Sequence, residues 1–438
     1  MRIVQLMPGT ANTFYCQNCL RDAGMFQMMR KLGHDVLAVP LYLPMELEGT
    51  NAADASPLFF GGINVYLQQR FRLFRTTPRW VDRMFDSHWL LQWAVRRFSM
   101  TDGRDLAATT LSMLRGAHGR QVKELDRLLR WLETRPPPDV VTLSNALLLG
   151  VSESIKARLA TPVVCLLEDE DEFLDELPDD DRRRAEALLA ERAQSIDAFI
   201  TCSRYYADVA QARFRIDPQR IHVVPNGLIL DGYDPAPAPP DPPVVGCLAR
   251  LHPDKGVDIL IESFAAMKAD PHFADLTLRI AGGRTVGDQA YVRQLDARVR
   301  ELGLTESVTF DGNLDRPRRL AFLKSLSLLV VPARRPEAFS MQMIEAMAAG
   351  VPVVAPDHGA YPELIQATGG GRLCRPDDPR DMADTITNLL MDSPAARALA
   401  AQGRAAVTDQ YGASRTVETM MSIYGTTIAA SSDAGANS

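Results

Sequence analysis

The sequence predicts an α/β protein of two domains, each built on a parallel sheet. Three observations carry this. The chain has 438 residues, about twice the size of an ordinary domain. Short apolar runs alternate along it with longer helical ones, the rhythm of successive β-α-β units. The stretch Asp234-Pro235-Ala236-Pro237-Ala238-Pro239-Pro240-Asp241-Pro242-Pro243 places six prolines in ten residues. Such a segment forms neither helix nor central strand and reads as a stiff linker between domains.

Taken in order, a strand at Arg2–Met7 leads into a loop with Pro8, Gly9 and Asn12. A helix follows from about Asn18 to Leu32, Gly33-His34 ends it, and a second strand runs over Asp35–Leu41. Residues 58–135 leave this rhythm. Phe59-Phe60-Gly61-Gly62-Ile63 is a strand-to-loop break, and a long helical stretch then reaches about Trp131, interrupted near Pro78 and Gly103. It reads as a helical insertion, about 66–134, in the N-terminal domain. Strands return at Asp139–Leu143, Pro162–Leu167, Ala198–Cys202 and Ile221–Val224. Beyond the linker come a strand at Val244–Leu248, a helix from Gly256, and strands at Thr277–Ala281, Ser307–Phe310, Leu328–Val331 and Val351–Ala355. The last two are short apolar runs suited to burial on both faces. The expected domains are 1–236 and 237–412, with a helix at 413–427 and a disordered tail at 428–438, where Ala, Ser, Asn and Gly dominate.

Composition narrows the classes. A formal charge of −7 argues against broad nucleic-acid binding. No segment reaches the ~18 uninterrupted apolar residues of a membrane span. The opening Met1–Met7 is too short for a secretory signal and reads as a buried first strand. Six cysteines in so long a chain make no disulfide framework, so a reducing cytoplasm is expected.

The chemistry concentrates beyond the linker. In Pro336–Val354 two glutamates, Glu337 and Glu345, stand eight positions apart. The first sits where a loop becomes a helix, and the second about two turns along, near the same face. A helix N-terminus is an anion site because its first N–H groups have no intrahelical partner. Carboxylates around such an end can hold the hydroxyls of two sugars while the end holds phosphates, which is what a nucleotide-sugar requires. A lone glutamate is usually a solvated helix face. Here Glu345 is followed by Ala346-Met347-Ala348-Ala349-Gly350, a small-residue patch ending in a glycine stop. Arg250 and Lys255 bracket the turn after the first strand of this domain. Ligands of open α/β sheets lie outside the carboxyl ends of the strands, so both cations are placed to meet phosphate oxygens. They would stabilise the charge of a departing nucleoside diphosphate.

With these residues in view, the run from Val244 to about Met391 resembles the donor domain of the GT-B retaining glycosyltransferases, glycosyltransferase family 4. The resemblance rests on Ala249-Arg250-Leu251 with Lys255-Gly256, Gly282-Gly283, Val308-Thr309-Phe310-Asp311-Gly312, the Glu337/Glu345 pair and Gly359-Ala360-Tyr361-Pro362-Glu363-Leu364-Ile365. The N-terminal half is similar more loosely, through Gly33-His34-Asp35-Val36, Gly61-Gly62-Ile63 and Val224-Pro225-Asn226-Gly227.

The resemblance implies two Rossmann-like domains facing each other across a cleft, the donor in the C-terminal one, and a final helix crossing back to the first domain. It implies transfer of a sugar from a nucleoside diphosphate to an acceptor hydroxyl with retention, without a cofactor or an obligatory metal. Arg250 and Lys255 would grip the pyrophosphate, and Glu345 the ribose hydroxyls. Glu337 would hold the donor sugar, near the backbone N–H groups of Phe339, Ser340 and Met341. The loop at Gly312 and Asn313 would lie near the base. Gly9 would let the N-terminal domain approach the phosphates. The acceptor is a carbohydrate, a lipid or a small molecule.

Two positions depart from the family. Ser340 stands where it usually has glycine, and serine can cap a helix. The family often places a histidine after an N-terminal-domain strand near the donor sugar. The corresponding loops here read Leu143-Ser144-Asn145 and Glu168–Glu172, so Glu170 or Asp171 is the candidate for that place, with Asn145 beside them, against the plainer reading of an acidic solvated loop. Cys16-Gln17-Asn18-Cys19 opens the first helix as a redox pair, half a zinc site, or packing in the acceptor loop. Tyr66–Phe98 interleaves seven arginines and two aspartates with aromatic residues. That pattern fits a subdomain packed on itself, a peripheral contact with anionic membrane, or a partner platform. Two other classes fit the same donor residues: a GT-B nucleotide-sugar epimerase or hydrolase, and a non-catalytic sugar-nucleotide-binding or C-x-x-C redox protein.

Overall fold

Among the described residues the strands form two six-stranded sheets, and every pairing in both is parallel. The structure, a computed structural model, describes residues 1–8, 17–42, 59–60, 103–236, 238–284 and 286–436. Contacts divide the chain into two compact units. One comprises Met1–Ala11, Met25–Val224 and Val417–Ser438, the other Asn12–Gly24 and Pro225–Thr416. The fold class is therefore α/β with two Rossmann-like sheets.

The first sheet contains β1 (Arg2–Met7), β2 (Asp35–Pro40), β3 (Val140–Leu143), β4 (Val163–Leu167), β5 (Ala198–Thr201) and β6 (Ile221–Val223), in the order β2-β1-β3-β4-β5-β6. Both β3 and β4 are buried at every position, as strands with helices on both faces must be. The chain moves outward from β1 to β2 and returns to place β3 on the other side of β1, so the order reverses between β1 and β3.

The second sheet contains β7 (Val244–Leu248), β8 (Thr277–Ala281), β9 (Val308–Gly312), β10 (Leu328–Val330), β11 (Val353–Pro356) and β12 (Gly371–Cys374), in the order β12-β11-β10-β7-β8-β9. Its core joins Val245, Cys247, Leu278, Ile280, Leu328 and Val330 on the strands to Leu260 and Phe264 on helix Val257–Lys268 and Ile386 on helix Pro379–Met391. Here the order reverses between β7 and β10. In open parallel sheets such a reversal leaves a crevice at the carboxyl ends, where ligands bind.

Four features differ from the sequence reading. The helical stretch before Trp131 is broken again, between helices Gly103–Leu114 and Val122–Glu133. The cause is Gly116, at φ +53°, where an added Cβ would sit 1.9 Å from the Gly150 carbonyl oxygen. Strand β12 was not anticipated. It is four residues long, starts at a glycine and, among the described residues, pairs with β11 alone, so its sequence carries no strand signal. The last helix runs over Ala413–Ala436 rather than stopping at 427, with the strong helix formers Ala429 and Ala430 just past that point. The segment Pro225–Ala236 goes with the second unit, where the Leu228 N–H donates to the Tyr411 carbonyl at 2.7 Å. Composition marks the stiff linker but not these contacts. Gly9, Cys16, the side chain of Cys19 and the aromatic-arginine stretch 66–98 lie outside the described residues. Among the described residues no helix is long and apolar enough to cross a membrane.

Candidate active site

The loops after β7 and β10 leave the second sheet side by side, at its point of reversal. The loop after β7 carries Arg250 and Lys255. Two glycines let it pack. An added Cβ on Gly282, at φ +154°, would meet the Ala249 carbonyl oxygen at 1.7 Å, so only glycine lets the loop after β8 lie against the loop after β7. Gly256, at φ +65°, similarly abuts the Pro332 carbonyl, where a Cβ would come to 2.0 Å. Between them the His252 ring nitrogen accepts from the Asp254 N–H at 3.4 Å, which tightens the turn that holds Lys255.

The loop after β10 carries Glu337 into helix Met341–Ala348. It is held from behind by the Gly359-Ala360 turn. The Ala360 N–H donates to the Glu337 carbonyl at 3.0 Å. Gly359, at φ +58°, lies so close that a Cβ would stand 2.8 Å from the Glu337 nitrogen. The two loops meet at several contacts: the Arg334 N–H donates to the Asp254 carbonyl at 2.8 Å, and Lys255 Nζ donates to Glu337 Oε1 at 2.8 Å, with Glu337 only 2 % exposed.

The other charged side chains are paired as well. Arg250 forms a bidentate pair with Asp288, at 3.0 and 3.1 Å. Glu345 is 1 % exposed, and its Oε1 accepts from Arg319 Nε at 2.8 Å and from the Tyr233 hydroxyl. Burial and the Glu345 charge push the Tyr233 phenol far above its ordinary range, so it stays a donor. Asp288, Arg319 and Tyr233 were not anticipated from the sequence. Each comes from a distant segment, and no local motif marks it. His358, on the turn after β11, shares hydrogen with the Ala333 carbonyl through Nε2 at 3.2 Å. Burial lowers its pKa, opposed by that carbonyl and by the Glu337 charge.

Helix Met341–Ala348 presents its N-terminus beside Glu337. Ser340 occupies the cap position, but its hydroxyl does not cap. It is fully buried and has no hydrogen-bond partner among the described residues. The capping expected of this serine is absent although its backbone, at φ −140° and ψ 92°, is extended as that of a cap residue usually is. Phe339 and Met341, on either side, are buried. Gly312, at φ +70°, and Asn313 are exposed at the end of β9.

In the first unit the candidates have partners of their own. Asn145 follows β3, at the reversal of that sheet, and its side chain caps the next turn by accepting from the Leu147 N–H at 3.0 Å. Glu170 does not project from a solvated loop. It is 3 % exposed and accepts from the Ala146 N–H at 2.8 Å, the Glu168 N–H at 3.0 Å and the Tyr206 hydroxyl at 2.7 Å. It ties together the loops after β3 and β4. Asp171 is half-buried, 4.0 Å from Arg213. Among the described residues no group of three or more His, Cys, Asp or Glu side chains is placed to hold a metal ion.

Comparison with known proteins finds family matches over both sheets. Residues 234–406 match the family described as Glycosyl transferases group 1, and residues 110–231 match Glycosyltransferase Family 4. The chain is 31 % identical over 220 residues to a lipopolysaccharide core biosynthesis mannosyltransferase, LpsB of Rhizobium meliloti, covering 46 % of this chain and 61 % of that protein. It is 28 % identical over 243 residues to a D-inositol 3-phosphate glycosyltransferase of Stackebrandtia nassauensis, covering 53 % and 54 %. The matches thus span about half to three fifths of the length of these relatives. In fold it is similar to HepE of Anabaena, solved with UDP, at a TM-score of 0.68 and 18 % identity, over 97 % of this chain and 100 % of that one. It is similar also to a sucrose-phosphate synthase of Thermosynechococcus elongatus, at 0.69 and 17 %, over 98 % and 100 %. With two family matches lying end to end across both sheets, and the GT-B fold shared along nearly the whole chain, this protein belongs to the group 1 glycosyltransferases, glycosyltransferase family 4.

Proposed function

We propose that this protein is a retaining glycosyltransferase that moves a sugar from a nucleoside-diphosphate sugar to an acceptor hydroxyl. The observation that carries the reading is the Lys255–Glu337 contact at the reversal of the second sheet, with Arg250 on the same loop and Glu345 on the following helix. Arg250 and Lys255 take the diphosphate, and the N-terminus of helix Met341–Ala348 adds its N–H groups. Glu337 accepts hydroxyls of the donor sugar, and Glu345 those of the ribose. When the bond from the anomeric carbon to the diphosphate breaks, the charge on the leaving oxygen grows beside two fixed cations.

The pairing of each cation with a carboxylate supports this division of labour. A bare Lys255 and Arg250 would repel each other, whereas Asp288 and Glu337 hold them apart and oriented. An incoming diphosphate exchanges one anion for another at Lys255 and leaves Glu337 to accept sugar hydroxyls. HepE, solved with UDP and with UDP-glucose, supports a nucleotide-sugar as the donor class. The buried thiols of Cys165, Cys202, Cys247 and Cys374 suit a reducing cytoplasm.

The experiment is a thermal-shift panel of UDP-, GDP- and ADP-sugars, followed by product analysis with the tightest binder. The reading expects one nucleotide-sugar to stabilise the protein and a glycosidic product of retained configuration to form on an acceptor. Epimerised nucleotide-sugar as the product, or no stabilisation by any donor, contradicts it.

A further inference from the structure

We propose that Tyr233 and Arg319 are positioning residues that aim Glu345 at the donor ribose, and so set discrimination between ribose and 2′-deoxyribose. The inference rests on the reading of Glu345 as the carboxylate that holds the ribose hydroxyls.

Both donors meet the same oxygen. Arg319 Nε lies 2.8 Å from Glu345 Oε1, and the Tyr233 hydroxyl donates to that atom as well. Two donors from different segments at Oε1 restrain the carboxylate and so limit where Oε2 can point. All three side chains are buried, with Arg319 4 % exposed. A buried ion pair is poor evidence for stability, because an apolar trio of similar volume would serve the core as well or better. Its burial here points to a need for a fixed charge.

Each positioning residue is itself tied to another part of the donor site. Arg319 lies on helix Arg316–Lys324, which starts at the loop assigned to the base. Asp315 caps that helix by accepting from the Arg318 N–H at 3.0 Å. Tyr233 is held at three points. Its hydroxyl meets Glu345, the Arg316 guanidinium stands 5.9 Å from its ring centre, and its carbonyl accepts from Arg404. Arg404 also donates to the Ala348 carbonyl, at the end of the helix that bears Glu345. The base loop, the ribose carboxylate and the helix behind the phosphates are thereby joined through side-chain contacts within one unit. A ribose whose hydroxyls meet a carboxylate held this firmly is bound with directionality that a swinging glutamate would lack.

The test uses the full chain and calorimetric affinities for the tightest of UDP, GDP and ADP, its 2′-deoxy counterpart, and inorganic pyrophosphate. The variants are Glu345→Gln, Tyr233→Phe and Arg319→Lys, chosen because each keeps the buried volume, with folding checked by near-ultraviolet circular dichroism. The wild type should bind the ribonucleotide about tenfold or more tightly than its deoxy form, the worth of a hydrogen bond to a charged group. Glu345→Gln should collapse that ratio, Tyr233→Phe and Arg319→Lys should narrow it at least threefold or so, and pyrophosphate affinity should hold in all. A purely structural role would weaken every ligand alike and leave the ratio untouched. If Glu345→Gln loses the ratio while Tyr233→Phe and Arg319→Lys retain it, the positioning proposal is wrong and the ribose reading stands. If Glu345→Gln retains the ratio, both fall.

Discussion

At the scale of single residues, the site is a set of charges whose partners come from far along the chain. Lys255 and Glu337 are separated by 82 positions, and Tyr233 and Glu345 by 112. The charged residues themselves were legible in the sequence, because two cations after a strand and two carboxylates around a helix start are local patterns. Asp288, Arg319 and Tyr233 were not, since only the sheet order brings them to the site. Ser340 was legible as an exception but its behaviour was not, because capping depends on the side-chain rotamer, which the residue type does not set. Its buried, unpaired hydroxyl gives a prediction. Ser340→Ala should raise the stability of the ligand-free protein by about 1 kcal/mol, since it removes a desolvated group with no partner. Urea unfolding checks this, and a loss of stability would mean that the hydroxyl is paired. His358 gives a second prediction, for pH. Its folded pKa is depressed by burial below the ordinary 6.5, so between those two values the unfolded chain binds more protons. Stability is therefore fully present above about 6.5 and falls as pH drops toward the folded pKa. Urea midpoints measured at successive pH values should decline over that window in the wild type, and the decline should flatten in His358→Asn.

At the scale of elements, strands with continuous apolar runs were legible and the edge strand Gly371–Cys374 was not. Val163–Leu167 is buried on both faces and reads as β from composition alone. Gly371–Cys374 forms because the neighbouring strand offers a free ladder edge, which its own residues do not announce. The same holds for the break at Gly116, where a backbone contact with Gly150 overrides good helical periodicity on both sides. Close backbone approaches of this kind also build the site. Gly282→Ala is expected to cost at least about 2–3 kcal/mol, because the new methyl must displace the Ala249 carbonyl and with it the turn bearing Arg250. The midpoint of chemical denaturation checks it, and a neutral outcome would mean that the loop after β7 is free to move. Glu170 is an element-scale residue too. It joins the loops after β3 and β4 to Tyr206, so Glu170→Ala should destabilise by about 3 kcal/mol, through unsatisfied buried N–H groups rather than loss of a surface charge.

At the scale of the whole molecule, one architecture is used twice, but the chemistry assigned above lies in one copy. Both sheets reverse their strand order beside their first strand. The second carries paired cations and carboxylates on the two loops that flank its reversal. If the donor reading is right, saturating nucleoside diphosphate at about a hundred times its Kd should stabilise the protein by about 2.7 kcal/mol. Hydrogen-exchange protection should then be strongest in 249–256, 312–315 and 336–345, within the second unit. Protection centred on the first unit would move the donor site. The central claim, that Lys255 and Glu337 act together on a nucleotide-sugar, is tested most directly by assaying sugar transfer in Lys255→Ala and Glu337→Gln beside the wild type, with the fold of each checked by circular dichroism. The account predicts folded variants whose transfer falls about a hundredfold or more. Full transfer in either folded variant would contradict it.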